Sequence, residues 1–213
     1  MSAPAELSRR ARRRLEVRTR ILDAAVALFD ARGFAATKVA DICERADVAH
    51  KTFFNHFPTR QHLLREIAGA ALDVLLAELE DVCKTPAATR ERLRLFFERV
   101  VDDAEERGPL HRELLTEMIH VAHTTGTERE QARRLHEAFR TLVREGRTAG
   151  DVGDAHDVET QTDMLVGAFY ALMFNWANLD GYPLRRRALA AARFLADALA
   201  PARRSARAPR RNP

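Results

Sequence analysis

Cysteine is nearly missing from this 213-residue chain, since Cys43 and Cys83 are the only two, and two thiols make no disulfide framework. Neither sits in the strongly cationic surroundings that favour a reactive thiolate, so both read as ordinary buried or half-buried thiols. No segment approaches the roughly 18 uncharged apolar residues of a membrane span. The opening MSAPAELSRRARRR carries positive charge with no apolar run behind it, so a secretory signal is not supported and a cytoplasmic address is expected. Strand-like alternation, internal repeats, a nucleophile elbow and a glycine-rich phosphate loop are absent as well. What remains is a soluble globular composition, 46% apolar and 31% charged, with helical spacing throughout.

Charge placement says more than the net +4. The balance is +5 over residues 1–60, −6 over 61–200 and +5 over 201–213. A basic head and tail around an acidic middle suggest that the ends meet a polyanion. RRARRR at Arg9 to Arg14 reads as an unstructured arm ahead of the first helix, placed to follow phosphates or enter a minor groove. The tail RRSARAPRR lacks apolar periodicity and reads as solvated chain.

The first helix is expected over about Leu15 to Arg32, with Ile21, Ala24, Ala25, Leu28 and Phe29 on one side. Gly33 provides a left-handed stop and Phe34 closes over Phe29. Thr37 is expected to cap the next helix, in which Val39, Ile42, Cys43 and Ala46 share one flank. After a turn at Asp47 and Val48, a further helix places Ala49, Phe53 and Phe57 inward and turns Lys51 and Asn55 outward, flanked by His50, Thr52 and Phe54. Two short helices across a tight turn, the second offering a cation, an amide, a hydroxyl and an imidazole, form the helix-turn-helix arrangement that enters a major groove.

Later helices are expected from Thr59 to Lys84, with Leu64, Ile67, Ala68, Ala71, Leu75, Leu79 and Val82 on one face, then over about 88–107, 110–123 and 127–145. The run GRTAGDVGD reads as a loop because of its three glycines. Asp154 or Asp157 caps the following helix, whose stretch from Met164 to Leu179 is apolar nearly all round and so expected to be buried on every side. A last helix follows Gly181 and Pro183. The expected fold is all-α with about nine helices. Its parts are a basic disordered arm (1–14), a three-helix DNA-binding domain (15–62), a second helical domain (63–200) and a basic disordered tail (201–213).

The residues RTRILDAAVALFDARGF, TKVADICERADVAHKTFFNHF and PTRQHLL, over roughly a quarter of the chain, resemble the tetracycline-repressor (TetR) family of bacterial transcriptional regulators. The resemblance implies dimers that bind operators and let go when a small molecule enters the other domain. It also implies DNA contacts: Thr37 and Lys38 at the start of the scaffold helix, His50, Lys51, Thr52 and Asn55 at base edges, and His56 and Arg60 on phosphates. The chemistry agrees independently, because Lys donates to guanine, Asn pairs with adenine and the Thr methyl meets the thymine methyl. Asp47 stands where the family has glycine, Ala49 where a serine caps the recognition helix, and Phe54 where a tyrosine hydroxyl reaches a phosphate. By position, the last two helices match the family's dimer face, for which Leu165, Phe169, Leu172, Met173, Trp176, Leu184, Leu189, Phe194, Leu195 and Leu199 are the apolar stock. Some of these must fill the monomer core.

For a ligand, the middle helices supply Phe96, Phe97, His111, Leu115, Met118, His120, Phe139, Tyr170, Phe174 and Asn175, a set suggesting an apolar cavity with few polar anchors. Glu117, His120 and His123 are spaced to bring two of them to one metal, but six residues along a helix turn Glu117 and His123 well apart, so no metal or cofactor is expected. The reading that follows is a sequence-specific DNA-binding regulator, a repressor released by a small, largely apolar ligand. It acts as a homodimer on a near-palindromic double-stranded operator. The alternatives are a non-specific architectural DNA binder and, more remotely, a helical-bundle enzyme using Glu117, His120 and His123.

Overall fold

A computed structural model describes residues 8–107, 112, 116 and 126–202, apart from the side chains of 126–129 and 131. Among the described residues there are eight helices and no strand: α1 (Arg9–Ala36), α2 (Val39–Arg45), α3 (His50–His56), α4 (Arg60–Lys84), α5 (Thr89–Arg107), α6 (Gly126–Ala149), α7 (Val158–Asn178) and α8 (Leu184–Leu199). Apart from Arg112 and Thr116, both helical, the helix expected over 110–123 lies outside the described residues, as do residues 1–7 of the expected arm and 203–213 of the expected tail. None of the described helices is long and apolar enough to cross a membrane.

The chain divides into two compact units, one built on residues up to Leu75 with 102–131 and 173–182, the other on 76–101, 132–172 and residues from Pro183 onward. The core of the first gathers Ile21, Ala25 and Phe29 of α1, Ile42 and Cys43 of α2, Phe53 and Phe57 of the α3 segment, and Leu63, Leu64 and Ile67 of α4. Ala71 and Leu75 are half-buried, while Leu72 and Leu76 go inside, so the buried face of α4 is turned slightly from the expected one.

α1 begins earlier than the sequence suggested. The Ser8 hydroxyl accepts from the Ala11 amide at 3.2 Å, and Arg9 to Arg14 are helical instead of an unstructured arm. Composition misled here, because arginine is a good helix former and a capping serine outweighs the repulsion of its neighbours. Gly33 breaks the helix as expected, but at φ 79 and ψ 165, an extended positive-φ conformation open to glycine rather than the left-handed helical one. Phe34 nonetheless meets Phe29 edge-on at 5.2 Å.

In the second unit Phe96 packs edge-on against Phe97 and Phe139, at 5.4 and 5.3 Å, and touches Phe169 at 6.0 Å. The turn after α6 is shorter than GRTAGDVGD suggested. α6 runs through Gly146 to Ala149 and ends at Gly150, φ 80. Gly146 serves close approach rather than helix breaking: a Cβ there would run into the Thr89 hydroxyl and a Val152 methyl. The Asp151 carboxylate, just beyond, accepts from the amide and the hydroxyl of Thr89 at 2.7 Å each, capping α5. Of the two alternatives for the α7 cap, Asp157 serves, accepting from the Thr160 amide at 2.9 Å and its hydroxyl at 2.7 Å. Burial pushes both thiols up, Cys83 to about 11 with help from Glu145, which keeps them protonated.

α7 is not buried all round. Met164 is 60% and Phe174 50% exposed, and Thr160, Gly167, Ala171 and Asn178 continue the same open stripe. Gly146→Ala should lower stability by roughly 1–3 kcal/mol through overpacking, measured by chemical denaturation; an unchanged midpoint would mean that α5 and the Asp151 turn are not packed against Gly146.

Candidate nucleic-acid interface

The turn between α2 and α3 has a specific hydrogen-bond signature. The Val48 amide donates to the Cys43 carbonyl at 3.0 Å and the Asp47 amide to Glu44 at 3.2 Å, with Asp47 at φ 50 between them. These are the 6→1 and 5→2 bonds of a Schellman ending, and Asp is among the few non-glycine residues that take the left-handed position at modest cost. The turn therefore survives without glycine. At its start, α2 is closed by the Asp41 carboxylate, which accepts from the Lys38 amide at 2.9 Å and pairs with Arg32.

α3 is seven residues long, and its placement comes from its neighbours. Phe53 and Phe57 are buried and meet each other at 5.9 Å. Ala49 was expected on this inward stripe but is exposed, since the chain has not yet entered the helix there, and as N-cap its methyl group offers no acceptor to the first turn. At the other end, Arg18 of α1 donates to the His56 carbonyl at 3.2 Å, stacks on the Phe57 ring at 4.6 Å and pairs through both arms with Glu66 of α4. One guanidinium thus ties the last turn of α3 to two other helices.

With α3 held this way, His50, Lys51, Phe54 and Asn55 are exposed and Thr52 is half-exposed; Lys38 is exposed at the start of α2. Those polar groups form one outward face with a hydroxyl, an amide, a cation and an imidazole available. Three residues carried over from the resemblance sit differently. Thr37 is completely buried, and its hydroxyl donates to the Gly33 carbonyl at 2.8 Å, so its side chain neither caps α2 nor faces outward. The Gly33 break leaves a carbonyl that needs this donor. Arg60 lies over the Phe34 ring at 4.0 Å and donates to the Phe34 carbonyl at 2.8 Å and to the Thr37 carbonyl, closing the α1–α2 junction. His56 is half-buried, with Nδ1 buried and without a partner, and burial together with the charges of Arg14 and Arg18 lowers its pKa from 6.5. Its ring is therefore neutral at pH 7 and offers no cation to a phosphate.

Sequence reasoning missed Arg18. The signal was present: Arg18 lies three and seven residues before Ile21 and Ala25, on the inward stripe of α1, where a cation must find partners.

The residues expected to hold a ligand are not gathered at one described cavity. Phe96, Phe97 and Phe139 are fully buried against one another, Tyr170 and Asn175 are half-buried and Phe174 is exposed. His111, Leu115, Met118 and His120 lie outside the described residues, as do Glu117 and His123 of the metal alternative. The second unit instead presents a half-open cleft of about 540 Å³ between α4 and α6, lined by Leu76, Leu79, Cys83 and Ala138 together with Glu80, Lys84, Arg133, Arg134, Glu137, Thr141 and Glu145. Of the expected dimer residues, Leu165, Phe169, Leu172, Met173, Trp176, Leu184, Leu195 and Leu199 are buried within the chain and Leu189 is half-buried. Only Phe194, at 71%, is openly exposed. Core filling takes most of that apolar stock, because the helices of a single chain must bury their own inner faces first.

Comparison with known proteins agrees with this geometry. Residues 21–67 match the family described as bacterial regulatory proteins, tetR family. The HTH-type transcriptional repressor KstR of Mycobacterium tuberculosis is 33% identical over 114 residues, covering 54% of this chain and 50% of that protein. The chain thus spans about half the length of the curated relatives it matches. Among solved structures, a TetR-family transcriptional regulator from Pectobacterium atrosepticum superposes with a TM-score of 0.72 at 20% identity, over 89% of this chain and 96% of that one. Thermus thermophilus FadR, a repressor solved with lauroyl-CoA, gives 0.63 at 24% identity, over 84% and 92%. At such identities these likenesses speak for the fold.

The lowered pKa of His56 has a consequence for stability. The unfolded imidazole takes up its proton at the ordinary 6.5, the folded one only at lower pH, so the unfolded state binds more protons between the two values. Stability should therefore be intact above pH 6.5 and fall as pH drops below it. Thermal melts of wild type and His56→Gln across this window should converge towards acid, and parallel curves would place the titration elsewhere.

Proposed function

We propose that this chain is a sequence-specific DNA-binding transcriptional repressor of the TetR kind, a reading supported by the match of residues 21–67 to the bacterial regulatory proteins of that family. It acts as a twofold dimer on a near-palindromic operator and is released by a small, largely apolar ligand. The observation that carries this reading is the outward face of α3, where Lys51 and Asn55 stand clear while Phe53 and Phe57 anchor the helix from behind. Lys51 suits guanine O6 and N7, Asn55 suits adenine N6 and N7, and Thr52 can meet a thymine methyl. His50 and Lys38 flank the same surface. A neutral His56, a buried Thr37 and an inward-committed Arg60 leave direct side-chain contact to fewer residues than the family pattern implies.

For the dimer, the open stripe of α7 (Met164, Gly167, Ala171) and exposed Ala190 and Phe194 of α8 supply apolar and small side chains that a second copy can cover. Two copies of α3 held about one DNA turn apart, roughly 34–36 Å, would read successive major grooves. For the ligand, the phenylalanines of the second unit leave an entering molecule the choice of parting them or using the cleft beside Leu76 and Leu79. Release requires the ligand to favour the non-binding arrangement by its differential affinity, commonly about 1–3 kcal/mol.

Binding-site selection from random duplexes tests the readout. Lys51→Ala and Asn55→Ala should each relax the selected sequence at one position, at a cost of roughly 1–3 kcal/mol, and an unchanged selected sequence in both would remove α3 from the readout role. Equal competition by unrelated DNA at raised salt would instead favour an architectural binder. Phe194→Asp should give a monomer by light scattering with little change in melting temperature, because the side chain is mostly exposed; a dimer that persists would move the interface elsewhere.

A further inference from the structure

α1 is longer than its core. Its first buried residue is Ile21, yet the helix begins at Arg9, so about three turns extend beyond the first fully buried position. The inward stripe marked by Ala25, Ile21 and half-buried Arg18 continues backward, at spacings of four, through Arg14 and Arg10, both exposed. The opposite stripe, Arg12, Glu16, Thr19 and Asp23, faces solvent along its whole length. Arg18 is already at the end of α3, donating to the His56 carbonyl, and Arg14 is close enough to act on the same imidazole. Arg10 and Arg14 therefore continue a line that starts at the last turn of the outward-facing helix, about 12 Å from Arg18 to Arg10.

By itself this arrangement is unfavourable. Five arginines fall within six residues at the positive end of a helix, no acidic residue stands in its first turn, and Arg9–Arg13 and Arg10–Arg14 are like-charge i, i+4 pairs. Among the described residues none of the five has an ion-pair or hydrogen-bonded side-chain partner. A polyanion laid along the stripe would reverse the sign of each of these terms.

We propose that the overhanging start of α1 is a folded, face-selective clamp for duplex DNA, in which Arg10 and Arg14 hold backbone phosphates beside the groove entered by α3. This rests on the DNA-binding reading above and deepens it, replacing a flexible basic arm with a rigid element that only one helical face can serve. The contacts position the protein without reading bases, so the clamp raises affinity on all sequences and adds to the salt dependence.

The test is a fluorescence-anisotropy titration of the full chain with a mixed-sequence duplex of about 30 base pairs, enough for two half-sites, over a series of salt concentrations. Each phosphate contact contributes about 0.9 to the slope of log K against log salt, or roughly eightfold in affinity at 0.1 M salt. Arg10→Ala/Arg14→Ala should flatten the slope by about 1.8 per protomer bound, with the selected sequence unchanged, whereas Arg12→Ala on the solvent stripe should leave the slope as in wild type. An unchanged slope in the double variant overturns the clamp. Equal losses from the Arg12 and the Arg10 or Arg14 substitutions overturn its facial character and restore the flexible arm. Should the wild-type chain fail to bind duplex even at low salt, the DNA-binding reading itself falls, a result separable from the other two. Circular dichroism of the double variant, matching wild type, keeps misfolding out of the comparison.

Discussion

A seven-residue helix has no stability of its own in water, because nucleation costs more than so few hydrogen bonds return. α3 exists because Phe53 and Phe57 are buried in a core shared with α1, α2 and α4. Removing either ring would cost roughly 3–5 kcal/mol, a large part of what a small module possesses. Everything ascribed to the outward face depends on that anchorage, since Lys51 and Asn55 are aimed only as well as the helix beneath them is held. Ahead of it, α2 ends in a Schellman turn that works with aspartate at its left-handed position. The module thus tolerates a missing glycine and a missing capping serine because packing, not local hydrogen bonding, sets the position of the helix.

Cations divide into two populations in the first unit. Arg18, Arg32 and Arg60 are committed to partners within the chain: the His56 carbonyl and Glu66, Asp41, and the carbonyls of Phe34 and Thr37. They satisfy acceptors left by a helix end, a cap and a broken helix, which is a structural task that charge counting from the sequence does not distinguish from phosphate binding. The arginines at the head of α1, with Lys38 and Lys51, remain outside. Their neighbour His56 is kept from becoming another cation, first by burial of its imidazole and then by the charges of Arg14 and Arg18.

In the second unit, aromatic residues that read equally well as cavity lining prove to be packed ring on ring, and most of the apolar residues that matched a dimer face are core. Periodicity finds an apolar stripe, but it cannot say which molecule covers the stripe. The exposed exceptions are informative for that reason. Met164, Phe174 and Phe194 stand out on two helices whose other large apolar residues are mostly covered.

Much of the first unit was legible because its signals are local. The spacing of Ile42, Cys43 and Ala46, the pair Phe53 and Phe57, and the αL-tolerant Asp47 follow from a period of 3.6 and from backbone sterics, which act within a few residues. The helical state of Arg9 to Arg14, the inward turn of Arg60 and Thr37, the helical use of Gly146 and the open stripe of α7 were not legible. The first is decided by a local serine cap, and the others depend on what lies opposite in space: carbonyls exposed by the Gly33 break, the Thr89 hydroxyl beside Gly146, the open side of Met164. The chain by itself determined which residues are apolar, which are charged and at what period they recur, because those are properties of single side chains and short-range geometry. Only the tertiary structure decided which charged groups are used up inside and which are left for a partner, because pairing and burial depend on residues far apart in sequence.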